Sequence, residues 1–232
     1  GLGGAVAVRA LTALVFAAYA AALAWQAGTV GVTFDEPAHL ASSLEYWRGN
    51  DFLQPVDTPP LTKLVVGWVP LALGVEPRTD TDAWRAGRQW DIGVQTLEKL
   101  GPEAARRSIF LSRLTMLVFP LALLATAWAW SRELWGERAA LAAAAALALE
   151  PNLLAHGPLI KSDVAAAAGL LAACYLGWRY WLVPSPGRFA AFAAVVSLAA
   201  MAKFTLLVAP AAAFVVVALR RPSGAGWRVP LG

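Results

Sequence analysis

Long apolar runs broken by polar stretches dominate the chain. The first run, residues 5–29, carries one charge, Arg9, near its start. It is too long for a signal-peptide core and predicts a retained membrane helix. A long polar stretch follows, residues 31–107. Further apolar runs predict spans at 109–130, interrupted only by Arg113, at 139–154 and at 164–183. Residues 189–219 are again apolar, broken by Lys203. That run is too long for one upright helix of about 20 residues and short for two. Arginines flank it on both ends, Arg179 and Arg188 before it, Arg220 and Arg221 after it. If both ends face the cytoplasm, the crossings between them are even in number. Two short helices, 189–202 and 206–219, are therefore predicted, with Lys203 at the outer turn. A single tilted helix is the alternative.

The polar stretch has its own pattern. Asp35, Glu36 and Pro37 read as a helix start, with Asp35 near the cap and Pro37 in the first turn. Leu40, Leu44 and Trp47 recur at helical spacing, which predicts an amphipathic helix along the membrane face. Asp57 through Lys63 (Asp-Thr-Pro-Pro-Leu-Thr-Lys) reads as a second helix start. The apolar run behind it, 64–75, is too short to span and is expected to be interfacial or re-entrant. Residues 76–103 are polar and partly helical.

Composition agrees with a membrane protein. Of 232 residues, 59% are hydrophobic and 15% charged, whereas soluble domains run at about half apolar and about a quarter charged. One cysteine, Cys174, excludes an internal disulfide framework and a cysteine-based zinc site, and two histidines argue against a histidine-rich metal centre. The net charge of +4 includes no basic tract, so nothing points to nucleic acid. The expected fold class is all-α, a polytopic transmembrane helical bundle with a large, partly helical extracytoplasmic first loop. Residues 1–30 form the first transmembrane helix. Residues 31–107 form the extracytoplasmic loop with interfacial helices. Residues 108–232 form transmembrane helices two to about six.

Charge placement sets the orientation. Arg132 and Arg138, and later Arg179 and Arg188, occupy short loops that belong in the cytoplasm. The long loop and the connection at 156–161 then face outward. The small-residue run 141–147 allows close helix packing, and most of the eleven tryptophans fall near span ends or in the outer loop as anchors.

This topology brings Asp35, Glu36 and Asp163 to one membrane face. Each reads equally well as a helix cap, yet carboxylates at such a rim can act as general bases or orient a hydroxyl. Arg106, Arg107, Lys161 and Lys203 gather on that face against the usual bias. Arg113, inside a span, needs a partner, because an intramembrane arginine costs at least ~2.5 kcal/mol. An ion pair within the bundle would satisfy it, and so would a phosphate, which guanidinium binds bidentately. Asp35 and His39 stand at i, i+4, a spacing that suits a local salt bridge better than a metal. His156-Gly157 reads as a turn. No phosphate-binding loop, dinucleotide fingerprint or nucleophile elbow is found.

Four stretches together resemble the N-terminal half of membrane glycosyltransferases of the GT-C type. The most similar groups are the protein O-mannosyltransferases, the lipid A aminoarabinose transferases and their phospholipid carrier-dependent relatives. Asp35-Glu36-Pro37-Ala38-His39 resembles the acidic motif after the first span. Pro59-Pro60-Leu61-Thr62-Lys63 resembles a Pro-Pro-Leu-x-Lys motif. Residues 150–163 resemble the link between spans three and four that ends in an acidic residue, and Ala202-Lys203-Phe204-Thr205 a later Lys-aromatic element.

The resemblance implies inverting transfer of a sugar from a polyprenyl-phosphate donor to a hydroxyl of an acceptor protein, lipid or glycan. It places that reaction on the extracytoplasmic face, in a bacterial inner membrane with the large loop toward the periplasm. It implies Asp35 as general base, with Glu36 and Asp163 orienting acceptor or sugar. Lys63, Arg106, Arg107, Arg113 and Lys203 would be candidates for the lipid phosphate, the leaving group. No cofactor or metal is implied, since the lipid-linked sugar is itself the donor substrate. Family members are longer, so the chain is expected to stop short of a whole transferase. The alternatives are a noncatalytic relative that binds membrane lipid or packs in a larger membrane complex, and a transporter, which would line several spans with polar residues.

Overall fold

The computed structural model describes residues 2–49 and 59–208. All regular structure in them is helical, with no strand among the described residues. The first helix, α1 (Leu2–Thr29), corresponds to the first predicted span. The segment after it holds α2 (Glu36–Arg48), α3 (Leu61–Ala72), the short α4 (Asp82–Arg85) and α5 (Gln89–Leu100). Then come α6 (Pro102–Met116), α7 (Val118–Trp135), α8 (Glu137–Ala148), α9 (Pro151–His156), α10 (Asp163–Leu182) and α11 (Pro186–Ala202), followed by a 3-10 turn, Phe204–Leu207. Among the described residues, two stretches are long and apolar enough to cross a membrane, Gly3–Thr29 and the nearly continuous α6–α7, Pro102–Trp135.

The predicted second span, 109–130, is thus the middle of a longer rod. It breaks at Leu117, and Pro120 in the first turn of α7 has no N–H to offer the carbonyl of Met116. The predicted third span is also interrupted. α8 stops at Ala148, and Glu150 opens α9 by accepting the Leu153 N–H at 2.6 Å, with Pro151 at the first helical position. α8 packs against α1 and α7 through an alanine stripe. Ala144 and Ala148, one turn apart, join Tyr19, Leu23 and Leu124 in a buried cluster. Small side chains here let three helices approach.

The end of α11 falls where the charge pattern placed it. The helix stops at Ala202, and Lys203 is extended, with φ −155° and ψ 127°. The second predicted helix of that pair, 206–219, lies mostly outside the described residues. So do Asp57 and Thr58 of the second helix start, which opens as α3 after Pro60.

α2 departs from its expectation. It is not an amphipathic helix lying along a surface, because Pro37, Ala38, Leu40, Ala41, Ser42, Ser43, Leu44 and Glu45 are all buried. It runs between α3 and α5, with which it makes its main contacts. The polar stretch behind α3 supplies the covering helix that the apolar pattern did not reveal. Contact is close on both sides. A side chain at Gly67 of α3 would collide with the backbone carbonyl of Ser43, and one at Gly93 of α5 with the backbone of Pro37. Leu40, Val66, Ile109, Met116 and Ile160 form a second core that ties α2 and α3 to α6 and to the connection before α10.

Candidate functional site

Arg113 lies on α6 and Glu36 in the first turn of α2. They form a buried ion pair, 1% and 0% exposed. Arg113 Nε donates to Glu36 Oε1 at 2.8 Å and Nη2 to Oε2 at 2.6 Å. The remaining N–H groups reach three backbone carbonyls at the end of α1. Nη1 donates to Ala27 at 3.0 Å and Val30 at 2.8 Å, and Nη2 to Gly31 at 2.8 Å. All five guanidinium donors are therefore engaged, and none remains for a phosphate. Glu36 is engaged as fully. Besides the arginine it accepts the Thr33 N–H at 2.8 Å, the Thr33 hydroxyl at 3.0 Å and the Ile160 N–H at 3.2 Å. Burial alone would push its carboxyl up. The Arg113 hydrogen bonds, the Thr33 and Ile160 amides and the nearby positive charge outweigh that and hold it below its ordinary value.

This pair fastens four segments at one point: the end of α1, the start of α2, α6 and the connection at 156–161. The residues beside its anchors form the site. Asp35, next to Glu36, pairs with Lys161, next to Ile160, at 2.9 Å. Asp35 occupies the cap position of α2 but makes no side-chain cap bond. Asp163 is the first residue of α10, and Ser162 takes the cap position. Its Oδ1 accepts from Lys203 Nζ at 2.7 Å. α11 thus returns antiparallel to α10 and delivers Lys203 beside the residue that opened the hairpin.

Asp35, His39, Lys161, Ser162, Asp163 and Lys203 line one cavity of about 260 Å³, together with Ala38, Gln89 and Trp90. Two carboxylates and two ammonium groups balance its formal charge. His39 is half-buried, and its pKa is lowered by burial and by the positive charges of Lys63 and Lys161, against the opposite pull of Asp35 and Glu36. The imidazole is neutral at pH 7. No group of three or more metal-ligating side chains occurs among the described residues.

Of the residues singled out from sequence, Asp35, His39, Lys161, Asp163 and Lys203 meet in this cavity. Glu36 and Arg113 lie behind its wall. Lys63 is buried on α3, with Nζ 5.1 Å from the centre of the Tyr46 ring, close enough to act on His39 but outside the cavity lining. Arg106 and Arg107 are exposed on α6, away from the cavity. Gln89, Trp90 and Ser162 were not anticipated. Gln89 and Trp90 open α5, in a polar segment with no motif, and only the packing of α5 on α2 brings them to the site.

A family model described as dolichyl-phosphate-mannose-protein mannosyltransferase matches residues 99–228. The match includes Arg106, Arg107, Arg113, Asp163 and Lys203 and begins after Asp35, Glu36 and Lys63. No curated protein sequence and no solved structure matches the chain significantly.

Proposed function

Because the chain belongs to the dolichyl-phosphate-mannose-protein mannosyltransferase family, we propose that it is an integral-membrane glycosyltransferase of GT-C type. It transfers a sugar from a polyprenyl-phosphate donor to an acceptor hydroxyl, with inversion, at the outer face of a bacterial inner membrane. The observation that carries this reading is the meeting of Asp35 and Asp163 with Lys161 and Lys203 in one cavity. These groups come from three separate parts of the sequence, and their chemistry fits the reaction.

Asp35 accepts the proton of the acceptor hydroxyl, whose oxygen attacks the anomeric carbon. The bond from that carbon to the phosphate oxygen breaks, and its electron pair stays on the phosphate. The donor is a phosphodiester with one negative charge, and the leaving lipid phosphate carries two. Protonation of Asp35 balances the difference, so the total charge of the site is unchanged. Lys161 and Lys203 hold the phosphate as its charge grows, which is where fixed positive groups lower the barrier most. Asp163 keeps Lys203 in place and orients a sugar or acceptor hydroxyl. Glu36 and Arg113 position Asp35 and Lys161 rather than touch substrate. Lys63 sets the field on His39, and Arg106 and Arg107 attract lipid headgroups.

We assign residues 31–107 to the outer side, covering the site, and α8 with α9, α10 and α11 to further crossings. Asp35→Asn in the full-length protein tests the reading. Turnover with a polyprenyl-phosphate sugar is expected to fall by about 10²–10⁴, the usual contribution of a general base. Undiminished turnover would remove Asp35 from the mechanism.

A further inference from the structure

Trp90 is 39% exposed and Phe34, next to Asp35 in the chain, is 79% exposed. Their rings stack with centroids 6.0 Å apart and planes 30° apart. Anchoring in the bilayer interface is the ordinary use of an exposed indole. Trp90 is placed differently, because it lines a cavity that also contains Asp35, His39, Lys161, Asp163 and Lys203. An indole in such a setting offers a flat face with negative electrostatic potential, beside groups that hold charge and hydroxyls.

We infer that Trp90, supported by Phe34 and flanked by the Gln89 amide, is the platform on which the transferred hexopyranose lies. The inference rests on the transferase reading and adds the sugar subsite to it. Three observations support it. The cavity, at about 260 Å³, is just under the range of about 300–1,000 Å³ for drug-sized ligands, so it suits one sugar ring rather than a glycan chain or a peptide. The donor sugar must lie between the lysines, which hold its phosphate, and Asp35, which activates its attacker, and Trp90 borders that space. The platform is also fixed relative to the base. Gly93, one turn along α5, meets the backbone of Pro37 with no room for a side chain. The apolar C–H face of a pyranose rests on the indole, and Gln89 can donate to and accept from the ring hydroxyls.

The test uses the full-length protein in detergent, with Asp35→Asn present to prevent turnover. Binding is compared for polyprenyl phosphate and for polyprenyl-phosphate mannose. The sugar is expected to tighten binding about tenfold. Trp90→Ala and Trp90→Leu should both abolish that increment while still binding the bare lipid phosphate, which also reports that they are folded. Trp90→Phe should keep most of it. If the sugar adds affinity and Trp90→Ala retains it, or if Trp90→Leu performs as well as Trp90→Phe, the platform is overturned. If the sugar adds nothing in the presence of tryptophan, the subsite is overturned and the lipid-phosphate reading stands. Failure to bind either lipid overturns both.

Discussion

Arg113 is the residue on which the most geometry depends. Removing one partner of a buried ion pair costs about 3–5 kcal/mol, because a charge is left behind without compensation. Replacing both partners with apolar side chains often repairs such a loss. Here it should not, because the pair also serves the carbonyls of Ala27, Val30 and Gly31 and the amides of Thr33 and Ile160. Arg113→Met with Glu36→Leu is therefore expected to remain strongly destabilised in thermal unfolding. Recovery to the wild-type midpoint would show that these backbone groups find other partners. Sequence revealed that Arg113 needed a partner but left ion pair and phosphate open, since nothing in the spacing of residues 36 and 113 fixes their contact.

Two acid-sensitive groups lie within one turn of α2. The His39 pKa is lowered from 6.5 and the Glu36 pKa from 4.5. In both cases the unfolded chain binds the proton more readily than the folded one, so stability falls as pH drops. For His39 the loss begins near the unfolded value of 6.5 and levels off below the folded pKa. For Glu36 the stabilisation is complete above 4.5 and is lost as pH falls through the folded pKa. His39→Gln should flatten the first part of the decline and leave the second. An unchanged midpoint-against-pH curve between neutral pH and pH 5 would exclude His39 as its source.

At the scale of elements, α2 is held on two sides by helices whose glycines replace side chains at the contact. Gly93→Ala should move α5 away from α2, at about 1–3 kcal/mol for overpacking. Because α5 carries Trp90 and α2 follows Asp35, transfer should fall by more than the loss of folded protein explains. The measurement is turnover per folded molecule, and a variant with full specific turnover would show that α5 does not set the site. The apolar pattern made α1, α3, α10 and the end of α11 legible, because long or sharply bounded apolar runs and flanking charges carry that information. It missed the enclosure of α2. An amphipathic reading from Leu40, Leu44 and Trp47 finds one apolar face, but Ala38, Ala41, Ser42 and Ser43 are small enough to be buried against backbone on the others. Small residues are nearly silent in hydropathy, so the helix–helix contacts that they permit are seen only in three dimensions. The same silence hid Gln89 and Trp90, whereas Asp35, Asp163 and Lys203 were found because charges at span ends stand out.

At the scale of the whole molecule, the two ends of α10 differ in charge chemistry. One end holds the cavity. The other, about 30 Å away for 20 residues, gathers the arginines of the short loops. There Glu133 accepts the Tyr175 hydroxyl at 2.5 Å and lies 3.7 Å from Arg179, and Arg188 donates to the Arg179 carbonyl at 2.8 Å. Arg132 lies over the Trp128 ring at 4.7 Å. These arginines belong to separate loops, yet they share one end, as loops retained in the cytoplasm would. In the proposed orientation the cavity faces outward together with Asp80 in the first loop. Single cysteines test this in a Cys174→Ser background. Asp80→Cys should react with a membrane-impermeant maleimide on intact spheroplasts, and Pro184→Cys, between α10 and α11, only after permeabilisation. The reverse pattern would turn the protein over in the membrane. The transfer reaction would then have to draw its donor from the cytoplasmic leaflet, against the charge of the two short loops that carry Arg132 and Arg138 and Arg179 and Arg188.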